Sequence, residues 1–343
     1  MTARHGARRD RCGSRRYAAP VMRFVFVMDP MERVVVDKDT TFAFQRASQR
    51  RGHTNLHCEL RDVYVLDADV WARVREVRVC DSAPHFSFGP AHDVRLSDVE
   101  CIFIRKDPPF NTDYLYVTLM LERLRGRALI VNDPRGLRDA NEKLYTLHFA
   151  RYMPRTLVTS DRDRIHRFVA DIGKAVVKPL DGAGGSGVMV VSKGDRNTRS
   201  IVDYITGDGT RHAMVQEYLA AVYAGDKRVL LLDGEVLGAI NRIAREDDVR
   251  SNIHAGGRVE PCEVTADERD IVVKMAPRLT ADGLVFVGLD FIGGKLTEVN
   301  VTSPTGIQEL SRHLGQDVAE HVISWAERRS ADFRPARESV AAT

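Results

Sequence analysis

Regular patterning begins with Phe24–Met28, a short apolar run that ends at Asp29-Pro30 and predicts a buried strand feeding a loop. Thr40–Arg51 has helical spacing and is closed by Gly52. Asn55–Cys58 predicts a second strand, and Val63–Leu66 and Val74–Val79 a further pair. Cys101–Ile104 is another apolar strand, followed by Arg105-Lys106-Asp107-Pro108-Pro109. Tyr114–Leu124 is helical in pattern, and Leu129–Val131 is a strand ending at Asn132-Asp133-Pro134. Strands alternating with helices predict an α/β region with a parallel sheet. In such sheets sites lie beyond the carboxyl ends of strands, where Asp29, Arg105–Asp107 and Asn132-Asp133 fall.

Asn141–Ala150 predicts a helix capped by Asn141. The texture then changes. Ala175–Lys178, Val188–Val191 and Met214–Tyr218 are short strands around a glycine loop and a helix, Ser200–Ile205. Lys227–Leu232, Glu235–Ile243, Leu284–Ile292 and Lys295–Val301 follow, with hairpin signals at Asp233-Gly234 and Gly293-Gly294. This half reads as antiparallel-rich α+β, with the boundary near Asn141. The polar end after about Arg328 reads as frayed.

Composition narrows the classes. The 343 residues, 43% hydrophobic and 29% charged, suit two or three globular domains and argue against a disordered chain. No stretch approaches the ~20 apolar residues of a membrane span. The net charge of +3 has a local origin: six arginines against Asp10 precede Met22. The remainder has 45 Lys+Arg against 47 Asp+Glu, so nucleic acid is not an expected partner. Residues 1–21 read as a disordered basic extension. The five cysteines are odd in number and lack CxxC spacing, which argues against zinc or disulfides and for a reducing cytoplasm.

The run Lys178-Pro179-Leu180-Asp181-Gly182-Ala183-Gly184-Gly185-Ser186-Gly187 fits GxGxxG literally. A dinucleotide fingerprint needs a helix next, but Val188–Val191 is a strand, and no Gly-Lys-Ser/Thr ends the loop. A glycine hairpin can still bring backbone N–H groups close to phosphate, with Lys178 as a nearby cation.

Asp290, Glu298 and Asn300 lie on a second hairpin among apolar residues. Glu298 and Asn300 share a strand face. A two-residue Gly293-Gly294 turn pairs 290 with 297 and separates the carboxylates, whereas a three-residue turn pairs 290 with 298 and unites all three side chains. Two carboxylates and an amide oxygen suit Mg²⁺. The alternative is that an acid pairs with a nearby arginine.

Together these motifs resemble the ATP-grasp carboxylate–amine ligases, and more narrowly the bacterial glutathione synthetase family. The resemblance is carried by Ile104-Arg105-Lys106-Asp107-Pro108-Pro109-Phe110, Asn141-Glu142-Lys143-Leu144, Gly225-Asp226-Lys227-Arg228, Phe286-Val287-Gly288-Leu289-Asp290 and Thr297-Glu298-Val299-Asn300-Val301-Thr302-Ser303-Pro304-Thr305. It runs from Met22 to about Glu327. It implies a pre-ATP-grasp substrate domain over 22–140, a central lid over 141–217, a C-terminal ATP-grasp domain over 218–328 and a flexible tail over 329–343.

The implied reaction joins γ-glutamylcysteine to glycine with ATP hydrolysed to ADP, through an acyl phosphate. The alternative is another ATP-grasp peptide ligase with a different carboxylate or amine. By resemblance, Lys143 and Lys178 contact the phosphates, and Gly182, Gly184, Gly185 and Gly187 close over them. Gln216, Glu217, Tyr218 and Leu219 read adenine and Asp226 the ribose. Asp290, Glu298 and Asn300 hold Mg²⁺ or Mn²⁺. Arg228 and Arg242 stabilise the transferred phosphoryl group, and Arg250 joins them as a catalytic residue. Arg250, Asn252, Gly256 and Gly257 belong to a loop over the glycine site. Asn300, Thr302, Ser303 and Thr305 hold the peptide, and Asp29, Arg105 and Lys106 its γ-glutamyl end. His148, His254 and His313 read as structural. The resemblance also implies a homotetramer in the cytoplasm.

Overall fold

The computed structural model describes residues 21–244 and 258–333. It contains three sheets. The first is seven-stranded and collects β1 (Arg23–Met28), β2 (Thr54–Cys58), β3 (Val63–Leu66), β4 (Asp69–Val79), β5 (Phe86–Arg95), β6 (Cys101–Arg105) and β7 (Leu129–Val131). Helices α1 (Thr40–Arg50), α2 (Thr112–Leu121) and α3 (Pro134–Asp139) belong to the same stretch. Asp39 starts α1 by accepting from Phe42 N at 2.6 Å.

The first sheet has the expected parallel strands together with antiparallel additions. β2, β1, β6 and β7 are parallel neighbours, but β4 pairs antiparallel with β2, β3 and β5. β5 escaped the sequence reading because Gly89 and Pro90 interrupt it. Proline is tolerated there because β5 pairs only with β4 and lies at an edge. The expected helix over Asn141–Ala150 is instead a 3-10 segment, Tyr145–Tyr152. Asn141 does cap the preceding turn, its Oδ1 accepting from Lys143 N and Leu144 N at 3.1 and 3.0 Å.

The second sheet has four antiparallel strands, β8 (Thr156–Thr159), β9 (Lys174–Pro179), β10 (Met189–Ser192) and β11 (Ala213–Glu217), in the order β10-β9-β11-β8. Helices α4 (Arg162–Ile172) and α5 (Thr198–Thr206) pack on it through Ile165, Val169, Val202 and Ile205. The third sheet holds β12 (Asp226–Leu232), β13 (Glu235–Ile243), β14 (Arg258–Cys262), β15 (Phe286–Ile292) and β16 (Lys295–Asn300), in the order β14-β13-β12-β15-β16. Helices α6 (Ala266–Ala281) and α7 (Ile307–Leu314) pack on it, and α8 (Val318–Ser330) packs against α7 and α1.

The first and third sheets share their cores. One cluster joins Val25, Val27 and Ile102 to Val229, Leu231 and Leu289. The other joins Phe26, Phe44 and Phe103 to Leu230, Phe286 and Ile323, with Phe44 edge-on to Phe286 at 5.2 Å. Each fully buried phenylalanine contributes about 1.5–3 kcal/mol of transfer free energy. Asn132 stitches the same junction. Its Nδ2 donates to Phe286 O and Val301 O, and its Oδ1 accepts from Val285 N and Phe286 N. The second sheet has a separate core. No helix among the described residues is long and apolar enough to cross a membrane.

Candidate active site

A cavity of ≈ 380 Å³ opens between the second and third sheets. Its upper wall is the loop from β9 to β10, where Gly182, Gly184 and Gly185 line the space. Gly187 stands behind them at φ +72°, where a Cβ would come 2.8 Å from Pro179 Cγ, so only glycine fits. Lys178, at the end of β9, and Lys143 are both buried and face the cavity. Lys143 Nζ donates to Gly182 O at 2.5 Å. Each ammonium lies 3.8 Å from the same oxygen, Glu298 Oε1.

Glu298 reaches this point through a local irregularity. The Gly293-Gly294 turn is two residues long, pairing Ile292 with Lys295, and both glycines have positive φ. A bulge then inserts Thr297, whose Oγ1 donates to Asp290 O at 3.1 Å, and the register resumes with Asp290 opposite Glu298. The tight turn therefore coexists with the carboxylate pairing expected from the longer one.

Beneath the carboxylates lies a buried ionic network. Arg228 stands directly across from Asp290 and grips it bidentately, Nε to Oδ1 at 2.6 Å and Nη2 to Oδ2 at 2.9 Å. Arg242 stands across from Asp226 and binds its Oδ2 at 2.6 Å, reaching Asp290 Oδ2 at 3.0 Å. Asn300 Nδ2 donates to Asp290 Oδ2 at 3.0 Å. Burial alone raises the Asp290 carboxyl, but the two guanidinium groups outweigh it and hold it well below the usual range. Burial pushes the Asp226 carboxyl up against the pull of Arg242. These arginines are thus buried partners of the acids, and Asp226 is engaged by Arg242.

The other end of the cavity is apolar. Val176 and Val190 face Val222 and Ile292, with Gln216, Glu217, Tyr218 and Leu219 along one edge. Gln216 Nε2 donates to Thr156 Oγ1 at 3.2 Å, and Tyr218 N continues the β11 ladder to Lys174 O at 3.1 Å. A flat ring system fits between such walls, with backbone groups at its rim.

Asn300, Thr302, Ser303 and Thr305 line the cavity, but Asp29, Arg105 and Lys106 do not. Lys106 Nζ is paired with Asp29 Oδ1 at 3.0 Å, and Asp29 Oδ2 accepts from Asp107 N at 2.9 Å. Arg105 is buried between the rings of Phe44 and Phe286 and donates to Pro304 O. Arg250, Asn252, Gly256 and Gly257 lie outside the described residues. Two charged cavity residues were missed as site residues: Asp107, one position beyond Arg105 and Lys106, and Glu142, immediately before Lys143. Adjacency to a recognised lysine was the available signal for Glu142.

A glycine-hairpin sheet closing a lysine-lined cavity against an antiparallel sheet with an acidic strand defines the ATP-grasp class. Residues 142–315 match the family described as "Prokaryotic glutathione synthetase, ATP-grasp domain", and residues 22–138 match its N-terminal domain. The chain is 41% identical to the glutathione synthetase of Synechocystis sp. over 90% of this chain and 100% of that one. It is 43% identical to that of Salmonella typhimurium over 83% and 91%. Among solved structures, the D-cycloserine synthetase DcsG superposes with a TM-score of 0.61 at 16% identity, covering 91% of this chain and 99% of that one. The ATP-grasp ligase PsnB, complexed with a minimal-precursor variant, Mg and ADP, gives 0.60 at 16%, covering 90% and 98%. These two likenesses concern the fold. The chain belongs to the prokaryotic glutathione synthetase family: it is an ATP-using ATP-grasp ligase with glutathione synthetase activity.

Proposed function

We propose that the cavity carries out ligation of γ-glutamylcysteine and glycine through an acyl phosphate, with the residues above in distinct roles. A carboxylate is a poor electrophile because its charge repels a nucleophile. Attack of a carboxylate oxygen on the γ-phosphorus of ATP forms an O–P bond and releases ADP. Attack of the glycine nitrogen on the acyl carbon then forms the C–N bond and expels phosphate, and the amine proton is lost to solvent or to that phosphate.

The apolar end receives adenine, with Gln216–Leu219 at its edge, and Asp226 stands nearest the ribose. Lys143, Lys178 and the Gly182–Gly187 loop hold phosphate oxygens. Arg228 and Arg242 face the transferred group and the reacting carboxylate, where a bidentate fork suits both. Thr302, Ser303 and Thr305 orient the peptide, and Asp107 marks the mouth near them. Closing the second sheet over the cavity excludes water from the acyl phosphate.

The observation that carries this reading is the pairing of charge inside the cavity. Lys143 and Lys178 stand against Glu298, and Arg228 and Arg242 against Asp290 and Asp226, so each cation of the lining is engaged by an acid. A polyphosphate entering alone meets cations that are already paired. A polyphosphate carrying a divalent cation is better matched, because Asp290 and Glu298 take the cation and release the basic groups for phosphate. Asp290, Glu298 and Asn300 form an all-oxygen donor set on one strand pair, which fits Mg²⁺ or Mn²⁺. That ion would supply Lewis-acid neutralisation of phosphate charge.

The same reading divides the chain into a substrate domain over 22–140, a lid over 141–217 and a C-terminal domain over 218–328, in a cytoplasmic homotetramer. The test is ADP release by the purified protein given ATP, Mg²⁺, γ-glutamylcysteine and glycine. Release that requires both acceptor substrates is expected. Release indifferent to either one contradicts the reading.

A further inference from the structure

Thr302, Ser303, Pro304 and Thr305 line the cavity, yet the segment Val301–Thr305 belongs to no strand or helix. Four side chains hold it by its backbone. Asn132 Nδ2 donates to Val301 O at 2.7 Å. Glu142 Oε1 accepts from Val301 N, Thr302 N and Thr302 Oγ1 at 3.1, 3.2 and 2.8 Å. Arg105 Nη2 donates to Pro304 O at 2.9 Å, and Arg228 Nη1 to Thr305 O at 3.3 Å. The signs are matched: the acid meets N–H and O–H groups, and the cations meet carbonyls.

Arg105 and Asn132 stand at or just beyond the carboxyl ends of β6 and β7, and Glu142 follows α3 in the connection to the second sheet. Arg105 and Asn132 are 4% and 3% exposed, so neither can leave its partners cheaply. Glu142 is doubly tied, because its own carbonyl accepts from Val299 N at 3.1 Å, and the next residue is Lys143. A loop without ladder partners keeps its atoms in place only if it is tied, and a displacement of ~1 Å at such a site can cost ~100-fold in rate.

We propose that Arg105, Asn132 and Glu142 are positioning residues. They set the backbone of Val301–Thr305, and so the hydroxyl and amide groups that face the acceptor side, without themselves contacting substrate. The N-terminal sheet thus acts on the substrate pocket through a loop of the third sheet. This rests on the reading that the segment orients the peptide.

The experiment compares wild type, E142A, E142Q and R105M in full steady-state kinetics, with amide hydrogen exchange over residues 301–305. Both E142A and R105M are expected to lose about 10- to 100-fold in kcat/KM for γ-glutamylcysteine, while KM for ATP stays within about twofold. In E142Q the side-chain oxygen can still accept, so kcat/KM is expected within about fivefold of wild type. Exchange over 301–305 should speed up about tenfold in E142A and R105M but not in E142Q. An E142Q variant as impaired as E142A overturns the proposal, because the charge and not the acceptor would then matter. Unchanged exchange in E142A and R105M also overturns it, whether or not the wild type turns over. A wild type that is inactive while the exchange pattern holds fails only the functional reading. If E142A does not fold, E142D shortens the reach of the acceptor to Val301 N and Thr302 N, and the same signature is expected at about threefold size.

Discussion

The second sheet and the rest of the molecule are built differently. Its core consists of Ile165, Val169, Ala175, Val177, Val191, Val202, Ile205, Ala213 and Val215, small and free of buried aromatics. The first and third sheets are fused through two larger clusters containing Phe26, Phe44, Phe103, Tyr114 and Phe286. Polar contacts link the glycine loop to the segment before the second sheet and β9 to the third sheet: Asn141 Nδ2 to Leu180 O, Lys143 Nζ to Gly182 O and Lys178 to Glu298. A unit with its own core and polar contacts can shift without unfolding its neighbour. The half of the cavity that carries the buried ionic network therefore stands on the fused body, and the half with the glycine loop stands on the unit with its own core.

The largest effect expected to sharpen this contrast comes from Glu298→Ala. Glu298 is half-buried on the body side and faces both lysines. Turnover should fall on the order of 10³-fold, with the thermal midpoint held within a few degrees. Retained turnover removes Glu298 from the site. Next is Phe286→Ala in the shared core. Urea unfolding monitored on either sheet of the body should show a loss of about 3–5 kcal/mol. A loss confined to one of these sheets would break the claim of a common core.

Ile165→Ala is the counterpart in the second sheet. It should cost about 2–5 kcal/mol locally. Hydrogen exchange should report this in β8–β11 while the body's slowest amides are unchanged. The smallest effect concerns His57 on β2. Burial lowers its pKa from 6.5, against the hydrogen bond to Asp29 O. Below that pH the unfolded chain takes up a proton that the folded chain refuses, so stability falls as pH drops. Relative to wild type, His57→Gln should lose less stability between pH 7.5 and 5.5 in urea titrations. Equal losses would remove His57 as a source of acid sensitivity in the body.

The contrast itself was hardly legible in the sequence. Apolar runs such as Phe24–Met28 and Phe286–Ile292 report that a strand is buried, but not against which sheet, so the first and third sheets read as separate parts on either side of Asn141. The glycine loop and the acidic hairpin were legible because their residue types are unusual for plain turns and strands. The bulge at Thr297 was not, since it depends on one hydroxyl meeting Asp290 O. The resemblance gives Arg105 to substrate, and its place at the carboxyl end of a strand agrees with that. Such a place does not give the direction of its side chain, which turns between Phe44 and Phe286.

A cavity that activates a carboxylate by phosphorylating it passes one carboxylate oxygen to the released phosphate, and isotope transfer reads that oxygen. γ-Glutamylcysteine labelled with ¹⁸O in the cysteinyl carboxylate would be turned over with ATP, Mg²⁺ and glycine, and the released phosphate analysed by mass. The account predicts one labelled oxygen in each phosphate formed. Unlabelled phosphate accompanying full peptide formation would contradict it.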